Sequence, residues 1–412
     1  MEINMSVIVK KVTDEIYKQS QLNYSTSNFL QSTEIASTQL ERRNFLDSQR
    51  VVFEKNGHVI GQAIINIRKR YRFFKEAIIL QGPLLDYTNM DIVKECFEAL
   101  EIYFKHEKVS RFMIHPYLIQ QQIDTSLNIV KDNQYNDVID YLTSCGYVHT
   151  VHSEDTVHVV GQMFVKPLHQ YDNEEAIYDA FSNALKRDLK KFDESHVKVR
   201  ELQEDELDTF YRILVSTGGR KGFAVQPFLY FELLKKYFKK DARFMLAYLD
   251  CKAYTDYLQN KIDAFQNRIV ELESSPLSKK TKGYITDAKD QLQSYVKRQE
   301  QFEQLHVTET FLPLSSYLFM CYGQEVVSIL GGSYREYLNF GGSTMINWDM
   351  IRYAYRENKD YNFYGTIEVA DSQNKTGNFN YKRQFGGELN VLIGSFTKTI
   401  NPLMHLVEKI KK

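Results

Sequence analysis

The chain has 412 residues, of which 43% are hydrophobic and 25% charged, with a formal net charge of −1. This is an ordinary globular composition, long enough for two or three cores. It excludes a global field that would draw in nucleic acid, so any anion site is a local patch, and no apolar run is long enough to span a bilayer. The start, MEINMSVIVKK, lacks the apolar core and small-residue cleavage site of a signal peptide. Cys96, Cys145, Cys251 and Cys321 form no CxxC and read as reduced core residues, which places the expected location in the cytoplasm.

In chain order, Val7 to Val9 reads as a strand, Thr13 to Gln19 as a short helix and Phe29 to Leu40 as a second helix. Val51 to Phe53 and Val59 to Ile67 are strand-like and joined through Asn56-Gly57, a strong hairpin signal. Ala77 to Leu80 is a buried strand ended by Gly82-Pro83. Ile92, Cys96, Leu100 and Tyr103 recur at helical spacing, predicting a helix over Met90 to His106. Arg111 to Ile114 is a strand running into His115-Pro116-Tyr117, and Asn136 to Ser144 is a helix stopped by Gly146. A second unit begins with a strand from Val157 to Val165. It continues through helices at Glu174 to Lys190 and Glu204 to Ser216, on either side of a strand at Val197 to Arg200. Pro227 to Phe238 is a helix with proline at its start, and Arg243 to Leu249 a strand. Strands at Leu312 to Cys321 and Val326 to Leu330, a helix at Thr344 to Glu357, a strand at Tyr361 to Tyr364, a last strand near Leu392 to Phe396 and a basic terminal helix complete the chain.

Between the strands of the second unit lies an arm. Leu258, Ile262, Phe265, Ile269 and Leu272 are spaced four and three apart. Ile285, Ala288, Leu292, Tyr295 and Phe302 keep the rhythm, with Gln299 at the one position left polar. SSPLSKKTKG, with Pro276 and Gly283, breaks the two runs into an antiparallel coiled-coil hairpin. The expected class is therefore α+β. The division is 1–155 for a first unit, 156–250 with 306–412 for a second, and 251–305 for the arm.

Several constellations carry chemistry. Tyr361 to Gly387 reads as a short buried strand, a polar loop and a turn holding Tyr381, Lys382, Arg383 and Phe385. A lysine among aromatics suits stabilisation of negative charge growing on a carbonyl oxygen, although a solvated surface lysine is the plain alternative. Lys186, Arg187, Lys190 and Lys191 crowd one helix face as i,i+4 pairs, which suits an external polyanion or merely a solvated face. The run Arg68, Lys69, Arg70 and Arg72 is split between the two faces of a strand and carries no site. Arg220 and Lys221 precede the helix that Pro227 begins, so they suggest a pyrophosphate site at a helix start. His149, His152 and His158 are not spaced for a metal, and no metal is expected. GGSYREY and FGGST lack a phosphate-loop ending.

Two α+β units with an inserted helical arm resemble the Fem family of aminoacyl-tRNA-dependent peptidyltransferases, which build the cross-bridges of bacterial cell wall. The resemblance rests on QGPLLDYTN (81–89), IHPYL (114–118), NALKRDLKKFDESHVKVREL (183–202), VVSILGGS (326–333), NWDMIRYAY (347–355), YNFYG (361–365) and FNYKRQF (379–385), in order and with the arm in place. It implies two acetyltransferase-like (GNAT-like) subdomains. No [QR]-x-x-G-x-[GA] loop is present, which argues against acetyl-CoA; no cofactor is expected, with aminoacyl-tRNA as co-substrate.

The resemblance further implies catalytic roles for Lys382 and Tyr381, with Lys382→Met sparing stability. It implies substrate contacts at Gln39, His115, Arg220, Lys221, Gln226, Tyr364 and Phe379, and tRNA contacts at Lys186, Arg187, Lys190, Lys191 and Arg383. The chain departs from the pattern where Gln39 stands for a frequent Lys, Gln226 for Arg and His115 for Asp, which puts the first-substrate contacts in doubt. Implied partners are aminoacyl-tRNA, lipid II or a UDP-linked muropeptide, the inner face of the membrane, and other Fem proteins. The expected activity is transfer of glycine, serine or alanine to the stem peptide or growing bridge. The alternatives are a non-catalytic Fem-like scaffold and, less favoured, an acetyltransferase.

Overall fold

The structure is a computed structural model that describes residues 6–21, 28–71, 73–151, 160–276, 278–365 and 377–411. The first unit opens with β1 (Ile8–Lys11), α1 (Asp14–Gln21) and α2 (Thr33–Glu41). The helix expected from Phe29 is broken. Ser32 adopts extended backbone and its hydroxyl accepts from the Ile35 amide, so a 3-10 turn at Phe29–Gln31 precedes the new N-cap. β2 (Asp47–Lys55) and β3 (His58–Arg70) form the expected hairpin, with Asn56 and Gly57 both at positive φ, as a two-residue primed turn requires.

There follow β4 (Phe74–Leu80), β5 (Leu84–Leu85), α3 (Met90–His106), β6 (Arg111–His115), β7 (Ile119–Ile123), β8 (Ile129–Lys131), α4 (Asn136–Ser144) and β9 (Val148–Thr150). The α3 range is the predicted one, and its inner face supplies Val93, Cys96, Phe97, Leu100 and Phe104 to the first core. Arg68 and Arg70 share one face of β3 and, with Arg111, surround the buried Glu76.

The second unit comprises β10 (Gln162–Lys166), α5 (Glu174–Asp179), α6 (Asn183–Glu194), β11 (Val197–Glu201), α7 (Leu207–Lys221), α8 (Phe228–Phe238) and β12 (Ala242–Asp250). The single helix expected over Glu174 to Lys190 is two, because the Ser182 hydroxyl caps a new start at the Leu185 amide. The start of the strand expected at Val157 lies outside the described residues.

The arm is α9 (Cys251–Glu273) and α10 (Lys279–Glu303). Gly283 lies inside α10 rather than in the break; the Ser278 hydroxyl caps that helix at the Thr281 amide. Beyond the arm run β13 (Phe311–Tyr322), β14 (Glu325–Ser333), α11 (Gly342–Arg356), β15 (Asp360–Gly365), α12 (Gly377–Arg383), β16 (Glu388–Leu392), β17 (Ser395–Thr399) and α13 (Pro402–Lys411).

Two mixed sheets result. The first runs β1-β2-β3-β4-β6-β17-β9 with β5 beside β3, and the second runs β11-β12-β13-β14-β15-β10-β16-β7-β8. The strand expected near Leu392 to Phe396 is therefore two strands in different sheets. Gly394 makes the crossing at φ +93°, where a Cβ would come 2.6 Å from the Thr150 carbonyl oxygen. In exchange, β7 and β8 leave the first unit to extend the second sheet past β16. Sheet membership thus cuts across the boundary drawn at 155/156: Ile393 and Phe396 complete the first core. The physical reason is that each sheet covers an otherwise open edge with strands from the other half of the chain.

One face of the second sheet packs on α5, α6, α11 and the base of the arm, where Tyr254 and Leu258 join the core. The other face packs on α7 and α8 through Phe210, Phe231 and Phe244. The arm's outer half has a separate small core of Ile269, Leu272 and Ala288. Among the described residues no helix is long and apolar enough to cross a membrane.

Candidate active site

The site arises where two strands part. β14 and β15 pair in parallel only from Glu325↔Asp360 to Val327↔Asn362. Past that point β14 follows β13 while β15 follows β10, and the gap opens into a cleft of about 740 Å³. Ser328, Ile329 and Leu330 line one side and Phe363 the other, with Asn347 of α11 and Arg220 of α7 at its borders. Gly331 is required here, because a Cβ would lie 2.2 Å from the Tyr317 ring.

Lys382 and Tyr381 reach this cleft from α12. Lys382 is buried, and its Nζ donates to the carbonyl oxygens of Phe363 at 2.9 Å, Tyr364 at 3.2 Å and Gly365 at 2.5 Å. Burial draws its pKa down to about 7. Three carbonyl dipoles act the other way, because they favour the ammonium, whose three N–H groups they match. The lysine read as a free cation is therefore also a structural tie that holds the end of β15.

The Tyr381 hydroxyl accepts from Asn347 Nδ2 at 3.1 Å, and Asn347 Oδ1 accepts from the Tyr361 hydroxyl at 2.7 Å. Burial raises the Tyr381 pKa, so it remains a neutral hydroxyl. Asn347 itself escapes notice in the sequence, because a polar residue inside an amphipathic helix reads as surface; here it is buried.

The remaining expected residues divide. Arg220 and Lys221 border the same cleft, and an Arg220 guanidinium N–H donates to the Ser333 carbonyl at 3.2 Å. They sit at the C-terminus of α7, closed by Gly222 at φ +75°, and not at the start of a helix. Their charge suits the negative end of that helix, so the helix-start argument for a pyrophosphate site is corrected.

Phe379 turns into the core, edge-on to Phe164 at 5.9 Å, so a direct substrate contact is corrected as well. Tyr364 alternates with Phe363 and points to the opposite face, against Met163, Val165 and the α7–α8 core. His115 is buried in β6; burial brings its pKa to about 4, and Nδ1 has no partner among the described residues. Gln39 and Gln226 lie at the seam of α2 and α8, away from the cleft lining.

Arg187, Lys190 and Lys191 are exposed on α6, opposite the buried Leu185, Leu189 and Phe192. Lys186 instead folds back onto the Asp179 carbonyl at 3.2 Å. α6 packs on α11, which borders the cleft, so the basic face adjoins it. Arg383 is exposed over the Phe379 ring, 5.8 Å away. His149 stacks on Phe396 at 4.8 Å and bonds the Ile393 carbonyl at 2.7 Å, a structural role; His152 and His158 lie outside the described residues.

One buried cation was not foreseen. Lys166 is fully buried, bonds the Tyr171 hydroxyl at 3.1 Å and lies under the rings of Tyr171 and Phe181, with a pKa drawn to about 7 by burial. A lysine at a strand end normally faces water, so nothing in the sequence marks it.

Comparison with known proteins places this geometry. The FemAB family model matches residues 12–412. Aminoacyltransferase FemA of Staphylococcus aureus is 27% identical over 368 residues, covering 87% of each chain. Aminoacyltransferase FemA of Staphylococcus epidermidis is 26% identical over 369 residues, 87% of this chain and 88% of that one. The crystal structure of FemX superposes over 97% of this chain and 99% of its own, with a TM-score of 0.74 at 21% identity, so the fold is shared across both sheets and the arm. With a cleft between parting strands, a buried lysine at its edge and a family match over nearly its whole length, the chain belongs to the FemAB family.

Proposed function

We propose that this chain is an aminoacyltransferase that moves an amino acid from aminoacyl-tRNA to an amine on the stem peptide or growing bridge of a lipid- or nucleotide-linked peptidoglycan precursor. The observation that carries the reading is the cleft between β14 and β15, with Lys382 and Tyr381 on one border and Arg220 and Lys221 on another. The acyl end of the tRNA enters this cleft, while its phosphates meet Arg187, Lys190, Lys191 and Arg383.

The incoming amine forms the new N–C bond. The ester C–O bond breaks, and the ribose hydroxyl of the tRNA leaves with a proton. The attacking nitrogen belongs to the substrate, so the protein supplies position and charge and no nucleophile of its own. Lys382 Nζ exchanges one of its three backbone carbonyls for the substrate oxygen as negative charge builds there. Tyr381, held by Asn347, borders the same oxygen. No cofactor enters these steps.

The saturation of Lys382 by its own backbone favours one other reading, a Fem-like scaffold without activity. The deciding assay offers a panel of charged tRNAs with lipid-linked muropeptides bearing zero, one or three bridge residues. Transfer from at least one tRNA is expected and names the amino acid and position. Absence of transfer across the whole panel leaves the scaffold.

A further inference from the structure

The seam between α2 and α8 holds a guanidinium that the sequence did not single out. Arg42, at the C-cap of α2, is partly buried. One of its N–H groups donates to Gln226 Oε1 at 2.6 Å, and its plane lies over the Tyr230 ring, 4.2 Å from the centroid. Both partners are neutral. Among the described residues no carboxylate forms an ion pair with it: the neighbouring Glu41 is taken by Lys236 and Tyr237 across the same seam. One turn back on α2, Gln39 Oε1 is buried without a partner. A desolvated arginine normally meets a carboxylate or a phosphate. A guanidinium stacked on an aromatic ring keeps its N–H edge open in the plane, and with one of five donors used, four remain.

Position gives the ligand its direction. Tyr230 and Tyr364 pack against the same core, and Tyr364 lies on the face of β15 turned away from the cleft. A molecule held in the α2–α8 seam therefore approaches the end of β15 from the side opposite to the acyl cleft, as an attacking amine must. The absence of charge at Gln39 and Gln226 does not leave this seam neutral, because Arg42 supplies the charge from the next turn of α2.

We infer that Arg42 is a specificity-determining residue that holds a phosphate or pyrophosphate group of the acceptor substrate, oriented by Gln226 and Tyr230. The inference rests on the aminoacyl-transfer reading for the identity of that acceptor. Transfer kinetics with the full chain test it, using UDP-linked and lipid-linked muropeptide as separate acceptors, with inorganic pyrophosphate binding measured by calorimetry. Arg42→Gln is expected to raise KM for the acceptor about tenfold to a hundredfold, the usual cost of removing a charge-assisted hydrogen bond, with KM for charged tRNA unchanged. Whichever acceptor shows the rise identifies the source of the phosphate. Arg42→Gln combined with Gln226→Arg returns a guanidinium to the seam and is expected to recover most of the loss. Pyrophosphate is expected to bind the parent and the double variant, and not Arg42→Gln.

An Arg42→Gln variant with unchanged acceptor KM overturns the inference. So does one in which both KM values rise together with a fall in Tm, since that marks a pin between helices and not a ligand contact. If the parent transfers nothing to either acceptor, the aminoacyl-transfer reading fails, and pyrophosphate binding lost in Arg42→Gln still upholds the anion site.

Discussion

Lys382→Met is the most informative single change, because one side chain has two roles in this structure. The amine donates to three carbonyls at the end of β15, and burial brings its pKa from 10.5 to about 7. Between those values the unfolded chain holds a proton on this residue that the folded chain has lost. The unfolded state binds more protons, so the parent gains stability as pH rises from about 7 toward 10.5, at up to about 1.4 kcal/mol per pH unit. Methionine removes that dependence and leaves three carbonyls without their partner.

The stability deficit of the variant is therefore expected to grow by roughly 2–3 kcal/mol between pH 7 and pH 9. Denaturant unfolding of parent and variant at pH 6, 7, 8 and 9 measures it, and the difference between the two cancels other titrating groups such as Lys166. In parallel, single-turnover transfer at saturating charged tRNA is expected to fall on the order of a hundred- to a thousandfold, the usual cost of removing one donor to a developing oxyanion. A deficit that stays flat from pH 6 to pH 9 refutes the electrostatic argument: the three carbonyls would then keep Lys382 charged throughout. Transfer at the parent rate removes it from the mechanism and leaves only the structural tie. Either way, the stability-neutral substitution expected from sequence gives way to one with a structural cost.

Arg187→Glu with Lys190→Glu is expected to weaken tRNA binding and flatten its salt dependence by about one unit of slope for each phosphate no longer neutralised; an unchanged slope assigns the α6 face to solvent. Replacing residues 268–291 of the arm by a turn of about four residues removes only the outer core of Ile269, Leu272 and Ala288, and cooperative unfolding of the remainder is expected to persist. Deleting 252–304 instead strips Tyr254 and Leu258 from the main core, at an expected cost of several kcal/mol by calorimetry or denaturant unfolding. Gly394→Ala forces a side chain to φ +93° beside the Thr150 carbonyl and is expected to cost about 1–3 kcal/mol from the backbone alone, more with the clash; a neutral result would show that the crossing between sheets relaxes freely.

Much of this protein was legible before folding. Local rules place α3, α4 and the β2–β3 hairpin, because an apolar stripe at 3.6 spacing and an Asn-Gly turn depend only on neighbours in sequence. The arm follows from the same periodicity, and ordered motifs across the chain pointed to the family and drew attention to Lys382. The helix breaks at Ser32 and Ser182 were also local, but a serine caps only when the chain arrives extended, and tertiary packing decides that.

The fold decided whatever depends on distant segments meeting. The exchange of β17 for β7 and β8 cannot be read from either half of the chain, since each strand has the same pattern whichever sheet receives it. The cleft exists because β14 and β15 stay paired for three residues and then follow different partners. Lys382 became a buried tie because three carbonyls from β15 meet it across a loop, and Lys166 became a buried cation beneath Tyr171 and Phe181. Arg42 stands close in sequence to the expected Gln39 but carries no motif of its own; it gained meaning only when α8 brought Gln226 and Tyr230 to it and left no carboxylate beside it. Sequence periodicity reports which side of an element is buried, whereas charge at a site depends on what the opposite element brings, and only the packed chain sets that.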